Sequence, residues 1–256
     1  MTLTIEKLKK QYPLPHVGKS DLPYKMALDN VSFTLSPGLY GLLGPNGAGK
    51  STLINSITGS LAPTKGKVLW NGKNILSLGR KFRAILGYMP QQQTLYDSFT
   101  GRRFLQYLAA LKEIKPCAVA AEVARVSQLV HLQNELDKRL SAYSGGMKRR
   151  LLAASALLGT PQLIIMDEPT AGLDPKERVR LRETLAALSK TCIILVATHV
   201  VSDVESVADE ILLLKDGKLL DKAPPQDLIA KYAQNGTLED VYLVIFGHDD
   251  DVSVAL

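Results

Sequence analysis

The chain has 256 residues, 46% of them hydrophobic and 22% charged, a net charge of +6 and two cysteines, Cys117 and Cys192. That is the make-up of a soluble globule with a real core, one large domain or two small ones; two distant cysteines exclude a disulfide framework and match no metal-ligand spacing. The charges are mixed, with Lys148-Arg149-Arg150 the only notable basic cluster and best read as solvated surface, so nucleic acid is not expected as a partner.

In chain order, residues 2–8 alternate as a strand and residues 26–35 as a second, with Val31, Phe33 and Leu35 on one face. The stretch Tyr12–Pro23 between them reads as a Pro-rich loop. Gly38–Leu43 is a short buried strand, followed by the glycine-rich loop Gly44–Thr52 and the first turns of a helix over Thr52–Ile57. Residues 67–75 form a hairpin around Asn71-Gly72, and Ile85–Met89 is a short strand ending at Pro90. From about 100 to 159 the texture is helical. Thr100 caps a helix on which Phe104, Tyr107, Leu108 and Leu111 repeat, Pro116 opens a second running to about Leu132, and a third follows Ser144-Gly145-Gly146. Strand character returns at Gln162–Met166. Asp174 is an N-cap with Pro175 at the first helical position, and Leu181, Leu185 and Leu188 form that helix's buried stripe. Thr191–Ala197 is an apolar strand of the parallel-sheet kind. A hairpin turns over Asp216-Gly217, and from about Pro224 a helix and a short tail remain, with His248–Asp251 expected to fray. Alternating strands and helices argue for an α/β core with a helical insertion. The first residues carry no apolar signal core, and no run approaches the roughly 18 apolar residues of a membrane span, so a cytosolic chain is expected.

The loop carries the chemistry. Gly44-Pro45-Asn46-Gly47-Ala48-Gly49-Lys50-Ser51-Thr52 fits Gly-x-x-x-x-Gly-Lys-[Ser/Thr] between a strand and a helix. Glycines let successive backbone amides turn inward on an anion, Lys50 carries a cation to the β- and γ-phosphates, and Ser51 offers a hydroxyl to Mg²⁺. The helix N-terminus adds partial positive charge. The apolar run Leu163–Met166 ends in Asp167-Glu168. Asp167 is placed to hold the Mg²⁺ shell. In extended backbone the neighbouring Glu168 points elsewhere and suits a general base for an attacking water.

Tyr143-Ser144-Gly145-Gly146-Met147, followed by Leu163–Asp174, resembles the signature loop, Walker B strand and D-loop of ATP-binding cassette (ABC) proteins. Gln91 resembles the family's Q-loop glutamine and His199 its switch histidine, so the likeness runs from about Thr2 to Lys222. It implies a P-loop NTPase (RecA-like) core with a mostly parallel sheet, an antiparallel β subdomain and a helical subdomain insertion. The cassette would take in residues 1–225, its core 1–99 and 160–225 and its helical part about 100–159, with 226–256 a C-terminal helix and tail. ATP and Mg²⁺ are the implied ligands, and two cassettes close head to tail on two ATP molecules. By the same resemblance the P-loop would bind from one side, and Ser144, Gly145 and Gly146 would bind the γ-phosphate from the second copy, while His199 would contact the γ-phosphate, Gln91 would touch Mg²⁺ and Asp174 would bridge the dimer. Tyr12 is the choice for stacking on adenine, with Tyr24 the alternative. Met147 stands where glutamine is commonest and offers no amide to the sugar. The form Tyr-Ser-Gly-Gly-Met-Lys-Arg-Arg resembles exporter cassettes made separately from their permease. The implied role is the ATPase subunit of an exporter, peripheral at the inner membrane face, with an importer ATPase or a non-transport iron–sulfur assembly cassette as alternatives.

Overall fold

A computed structural model describes residues 1–14, 24–92, 95–234 and 236–247. Most of the Pro-rich stretch after Tyr12, and the expected frayed segment His248–Asp251, lie outside the described residues. The elements run β1 (Leu3–Pro13), β2 (Tyr24–Leu35), β3 (Gly38–Leu43), α1 (Lys50–Ile57), β4 (Lys65–Trp70), β5 (Lys73–Asn74), α2 (Ile75–Leu78), α3 (Arg80–Ile85), β6 (Leu86–Met89), α4 (Gly101–Leu111) and α5 (Pro116–Leu129). Then come α6 (Gly145–Ala156), β7 (Leu163–Asp167), α7 (Pro175–Ser189), β8 (Ile193–Ala197), α8 (Ser202–Glu205), β9 (Glu210–Lys215), β10 (Lys218–Ala223), α9 (Pro225–Tyr232) and α10 (Leu238–Phe246). They fall into two compact units. The first takes in Met1–Ser36, Tyr40–Gly79 and the described residues from Thr198 onward; the second takes in Pro37–Leu39 and Arg80–Ala197.

In the first unit an antiparallel sheet has the order β2-β1-β4-β5. β1 and β2 stay paired from Leu3↔Leu35 out to Pro13↔Tyr24, so both strands reach further than their alternation alone indicated. Leu3 and Ile5 of β1 and Val31, Phe33 and Leu35 of β2 are buried with the period of two that a strand face requires, and the parity changes at the buried Leu8 and Leu28, across register shifts in the ladder where Lys7 (φ 46°) and Asn30 (φ 58°) take positive φ. Asn71 (φ 48°) and Gly72 (φ 76°) both take positive φ, the backbone of a type I′ hairpin turn. β3 runs parallel to β9, pairing Tyr40 with Glu210 through Leu43 with Leu213. β9 turns into antiparallel β10 over Asp216 (φ 48°) and Gly217 (φ 73°), the same two-residue geometry. Where one helix and a tail were expected there are two helices. α10 begins at a capping box in which Thr237 and Asp240 bond each other's backbone. It is tied down by the Leu238 amide donating to Glu205 (3.1 Å) and by Lys215 donating to the Ile245 carbonyl (3.0 Å).

In the second unit β6 and β8 each run parallel to β7. All five residues of β7 and of β8 are buried, the pattern of strands covered on both faces. Thr100 caps α4 by accepting from the Arg103 amide, and Pro116 opens α5, as their sequences require. The buried face of α4 is Gly101, Phe104, Leu105 and Ala109. Tyr107 and Leu111, which the spacing grouped with Phe104, are exposed instead. Tyr107 joins a surface aromatic group with Tyr96 and Phe99, ring centroids 6.2 and 6.3 Å away. Among the described residues no helix is long and apolar enough to cross a membrane.

Candidate nucleotide site

The glycine-rich loop leaves the carboxyl end of β3, where ligands of open α/β sheets are bound. Its glycines answer two different needs. Gly47 (φ 84°) has open space around it, so it is required only for its left-handed backbone. At Gly49 (φ 103°) a Cβ would also lie 2.5 Å from the Ala27 carbonyl oxygen, and at Gly44 it would lie 2.2 Å from the Leu214 carbonyl oxygen. The loop is therefore packed against β2 and β9 backbone. The Gly217 amide donates to the Ala48 carbonyl (2.9 Å), and the Asp29 amide donates to Gly217 (2.8 Å). α1 starts at Gly49 with no side-chain cap and no acid in its first turn, leaving the positive end of its dipole to an anion. Lys50 Nζ curls over the loop and donates to the carbonyls of Gly44 (2.5 Å) and Pro45 (3.0 Å). Ser51 is exposed at the first turn.

His199 belongs to the same unit and is exposed. The amide of its neighbour Thr198 donates to Leu42 (3.3 Å), fixing that segment beside the strand that feeds the loop. Tyr12 (38% exposed) and Tyr24 (53% exposed) stand at the far end of the β1–β2 ladder, Tyr12 opposite Lys25 and Tyr24 opposite Pro13. Tyr24 lies three residues before Ala27 on β2, the residue whose carbonyl oxygen a Cβ at Gly49 would meet, and Tyr12 lies on the neighbouring strand β1. Lys10 Nζ sits 5.4 Å from the Tyr12 ring centroid.

The second unit holds Gln91, Ser144, Gly145, Gly146, Asp167, Glu168 and Asp174. Asp167 closes β7 and is buried, and so is Glu168 (7% and 6% exposed). Glu168 does not continue the strand as extended backbone. It turns left-handed at φ 52°, a conformation that non-glycine residues hold only under constraint and that clusters at functional sites. Its amide donates to the Ala197 carbonyl (2.8 Å). Ser144 caps α6, its hydroxyl accepting from the Met147 amide (3.2 Å), so the α6 N-terminus opens at Gly145 and Gly146. A Cβ at Gly145 would meet nothing within 4 Å, and one at Gly146 would lie 3.4 Å from the Gly172 carbonyl oxygen. Asp174 is exposed and accepts from the Glu177 amide (2.9 Å) as the α7 cap. Tyr143 is buried, and its hydroxyl donates to the Glu135 carbonyl (2.8 Å). Burial pushes its phenol up to about 12.

The reading of Lys148-Arg149-Arg150 as solvated surface is corrected here. Arg150 donates to the carbonyls of Val130 (3.4 Å) and His131 (2.8 Å) and pairs with Glu177 (3.4 Å). Arg149 donates to the carbonyls of Gln91 (2.7 Å), Asp167 (3.3 Å) and Glu168. Burial pulls its guanidinium below the ordinary value. Among the described residues no three His, Cys, Asp or Glu side chains cluster to hold a metal. Ser51 in the first unit, and Gln91 and Asp167 in the second, each carry a hard oxygen donor of the kind Mg²⁺ takes.

A family model described as ABC transporter matches residues 28–171. An uncharacterized ABC transporter ATP-binding protein, YxlF, of Bacillus subtilis is 34% identical over 227 residues, covering 88% of this chain and 72% of that protein. Nod factor export ATP-binding protein I of Rhizobium etli is 38% identical over 207 residues, covering 80% and 66%. ABC transporter A family member 4 of Arabidopsis thaliana is 36% identical over 90% of this chain, which spans only 24% of that relative's length. Among solved structures, an ATP-binding subunit of an ABC transporter superposes with a TM-score of 0.81 at 26% identity, covering 95% of this chain and 98% of the other. A dimeric ATP-binding cassette bound to ADP and Pi after hydrolysis shares the fold with a TM-score of 0.76 at 23% identity, covering 87% and 98%.

Proposed function

The chain belongs to the ABC transporter family, and from that premise we propose that it binds and hydrolyses ATP as the motor cassette of an exporter, in pairs, on a separate permease. The observation that carries the reading is the loop Gly44–Thr52 on an uncapped helix N-terminus, with a buried Asp167-Glu168 pair at the end of a parallel strand. Backbone amides of the loop and the Lys50 ammonium hold the β- and γ-phosphates. Tyr12 stacks on the adenine, with Tyr24 next to it on the ladder. Ser144 and the amides of Gly145 and Gly146, at the open N-terminus of α6, bind the γ-phosphate of the ATP held by a second copy. Asp174 faces the partner across that contact.

Ser51, Asp167 and Gln91 are the residues that would hold Mg²⁺, which when bound would supply charge neutralisation at the β- and γ-phosphates. Glu168 orients a water against the γ-phosphorus and accepts its proton as the new P–O bond forms and the bond to the bridging β,γ-oxygen breaks. His199 hydrogen-bonds a γ-phosphate oxygen and keeps that water in line. Loss of the γ-phosphate removes what joins the copies, and the dimer opens.

The permease reading draws on the second unit. A groove of about 430 Å³ there is lined by the apolar side chains of Leu86, Leu108 and Leu111 and by Arg80, Arg83 and Lys112, with Glu113, also in the lining, paired to Arg80. That chemistry suits a short amphipathic helix bearing an acidic residue. The Rhizobium relative, named for export, supports the outward direction. The test has two parts. Lys50→Ala should weaken ATP binding at least tenfold in titration, and unchanged affinity would overturn the phosphate assignment. The tagged chain should co-purify from membranes with a multi-span protein, and a chain recovered free of any such partner from cells that make its neighbours would overturn the transporter role.

A further inference from the structure

We propose that Arg149 is a positioning residue for hydrolysis: it fixes the backbone that aims Glu168 and ties that backbone to Gln91 and to the signature helix. The role rests on the reading of Glu168 as the base. Arg149 sits one turn into α6, five residues after Ser144. One guanidinium nitrogen reaches the Gln91 carbonyl (2.7 Å), and the other reaches the carbonyls of Asp167 (3.3 Å) and Glu168. All three acceptors belong to residues with proposed roles around the γ-phosphate, and they come from two separate segments of the chain. A planar fork of donors can serve such a set at once, whereas an ammonium is a point charge that cannot.

The Glu168 backbone shows why the contact matters. At φ 52° the residue holds a conformation that L side chains rarely adopt, and such a conformation persists only where the surroundings over-determine it. Here the amide is bound to Ala197 on one side and the carbonyl to Arg149 on the other. With both flanking peptide groups fixed, the direction in which the Glu168 side chain leaves the backbone is fixed too. Arg149 Nε is itself buried and has no hydrogen-bond partner among the described residues, so its burial is not explained by full satisfaction of the side chain. A guanidinium that merely filled space would be replaceable by an apolar side chain of similar reach, often without loss of stability.

That contrast sets the experiment, run on the full chain with steady-state ATPase assays, ATP titration and thermal melts. Arg149→Met keeps the stem and removes the fork. We expect kcat to fall at least tenfold with the ATP Kd within threefold of the parent, and an ATP-dependent dimer to accumulate because hydrolysis lags binding. Arg149→Lys, which keeps the charge and part of the bonding, should recover an intermediate kcat and guards against misfolding of the Met variant. A kcat within threefold of the parent in Arg149→Met overturns the role. So does a joint loss of kcat, ATP affinity and thermal midpoint in both variants, which marks a scaffold residue only. Glu168→Gln is the control. Turnover that survives it overturns the assignment of Glu168 and this role with it; turnover lost in Glu168→Gln and kept in Arg149→Met overturns the role of Arg149 alone.

Discussion

Replacing Gly49 by alanine separates two costs that the phosphate loop imposes on its glycines. Gly47 and Gly49 both have positive φ, 84° and 103°, so alanine at either pays the left-handed penalty of roughly 1–2 kcal/mol. Only at Gly49 does the new Cβ also meet backbone, 2.5 Å from the Ala27 carbonyl oxygen, whereas nothing lies within 4 Å at Gly47. A carbonyl of β2 cannot rotate away as a side chain can, because Leu28 next to it is paired with Lys10 in the β1–β2 ladder. Forcing such a contact in a packed region adds about 1–3 kcal/mol. Gly49→Ala should thus cost about 2–5 kcal/mol and Gly47→Ala about 1–2 kcal/mol. For a chain of this size 1 kcal/mol moves the melting midpoint by about 2–4 °C, so the two variants should differ by roughly 2–12 °C. Guanidinium denaturation and thermal melts of nucleotide-free protein measure it. Equal destabilisation by the two substitutions would refute the packing of the loop against β2.

Tyr143→Phe removes the donor to the Glu135 carbonyl while leaving the ring in place, and should cost about 1 kcal/mol, or up to about 3 kcal/mol if that carbonyl finds no water; a loss too small to resolve by denaturation would contradict the contact. Burial holds the Lys112 ammonium below its ordinary 10.5, at about 8, so between those values the unfolded chain binds a proton that the folded chain has released. Stability therefore rises with pH across that window, by a ceiling of about 3 kcal/mol that solvent screening reduces to about 1–2 kcal/mol. Denaturation at pH 7.5 and 9.5, which covers roughly half of that window's gain, should show a rise in the parent chain and not in Lys112→Gln; equal gains in both would contradict it.

Features set by local chemistry were legible from the sequence. Asn71-Gly72 and Asp216-Gly217 announced hairpins because few residues accept two successive positive φ values, and both turns have them. Thr100 and Asp174 cap the helices they precede, since a hydroxyl or carboxylate at that place meets the amide two or three residues on, and Ser144, not expected as a cap, does the same for α6. The second C-terminal helix was missed, one helix and a tail being expected, although its start is set by the local capping box of Thr237 and Asp240. What stayed hidden depends on residues far apart in the chain. Nothing adjacent to Arg149 reveals that its acceptors are Gln91, Asp167 and Glu168, and a run of three basic residues reads more simply as solvated surface. The left-handed turn at Glu168 is equally silent, because a glutamate after a strand is expected to continue it. On α4 the 3.6-residue period located a helix, yet packing chose the face through Gly101, Leu105 and Ala109 and left Tyr107 outside.

The central claim is that ATP binding joins two copies of this cassette and that hydrolysis parts them. The most direct test is the mass in solution of Glu168→Gln with and without ATP and Mg²⁺, by light scattering after gel filtration. The account predicts the single-chain mass of 27.9 kDa without nucleotide and about twice that with ATP-Mg²⁺, with no measurable phosphate release. A variant that binds ATP and stays at the single-chain mass, or that releases phosphate at the parent rate, would contradict it.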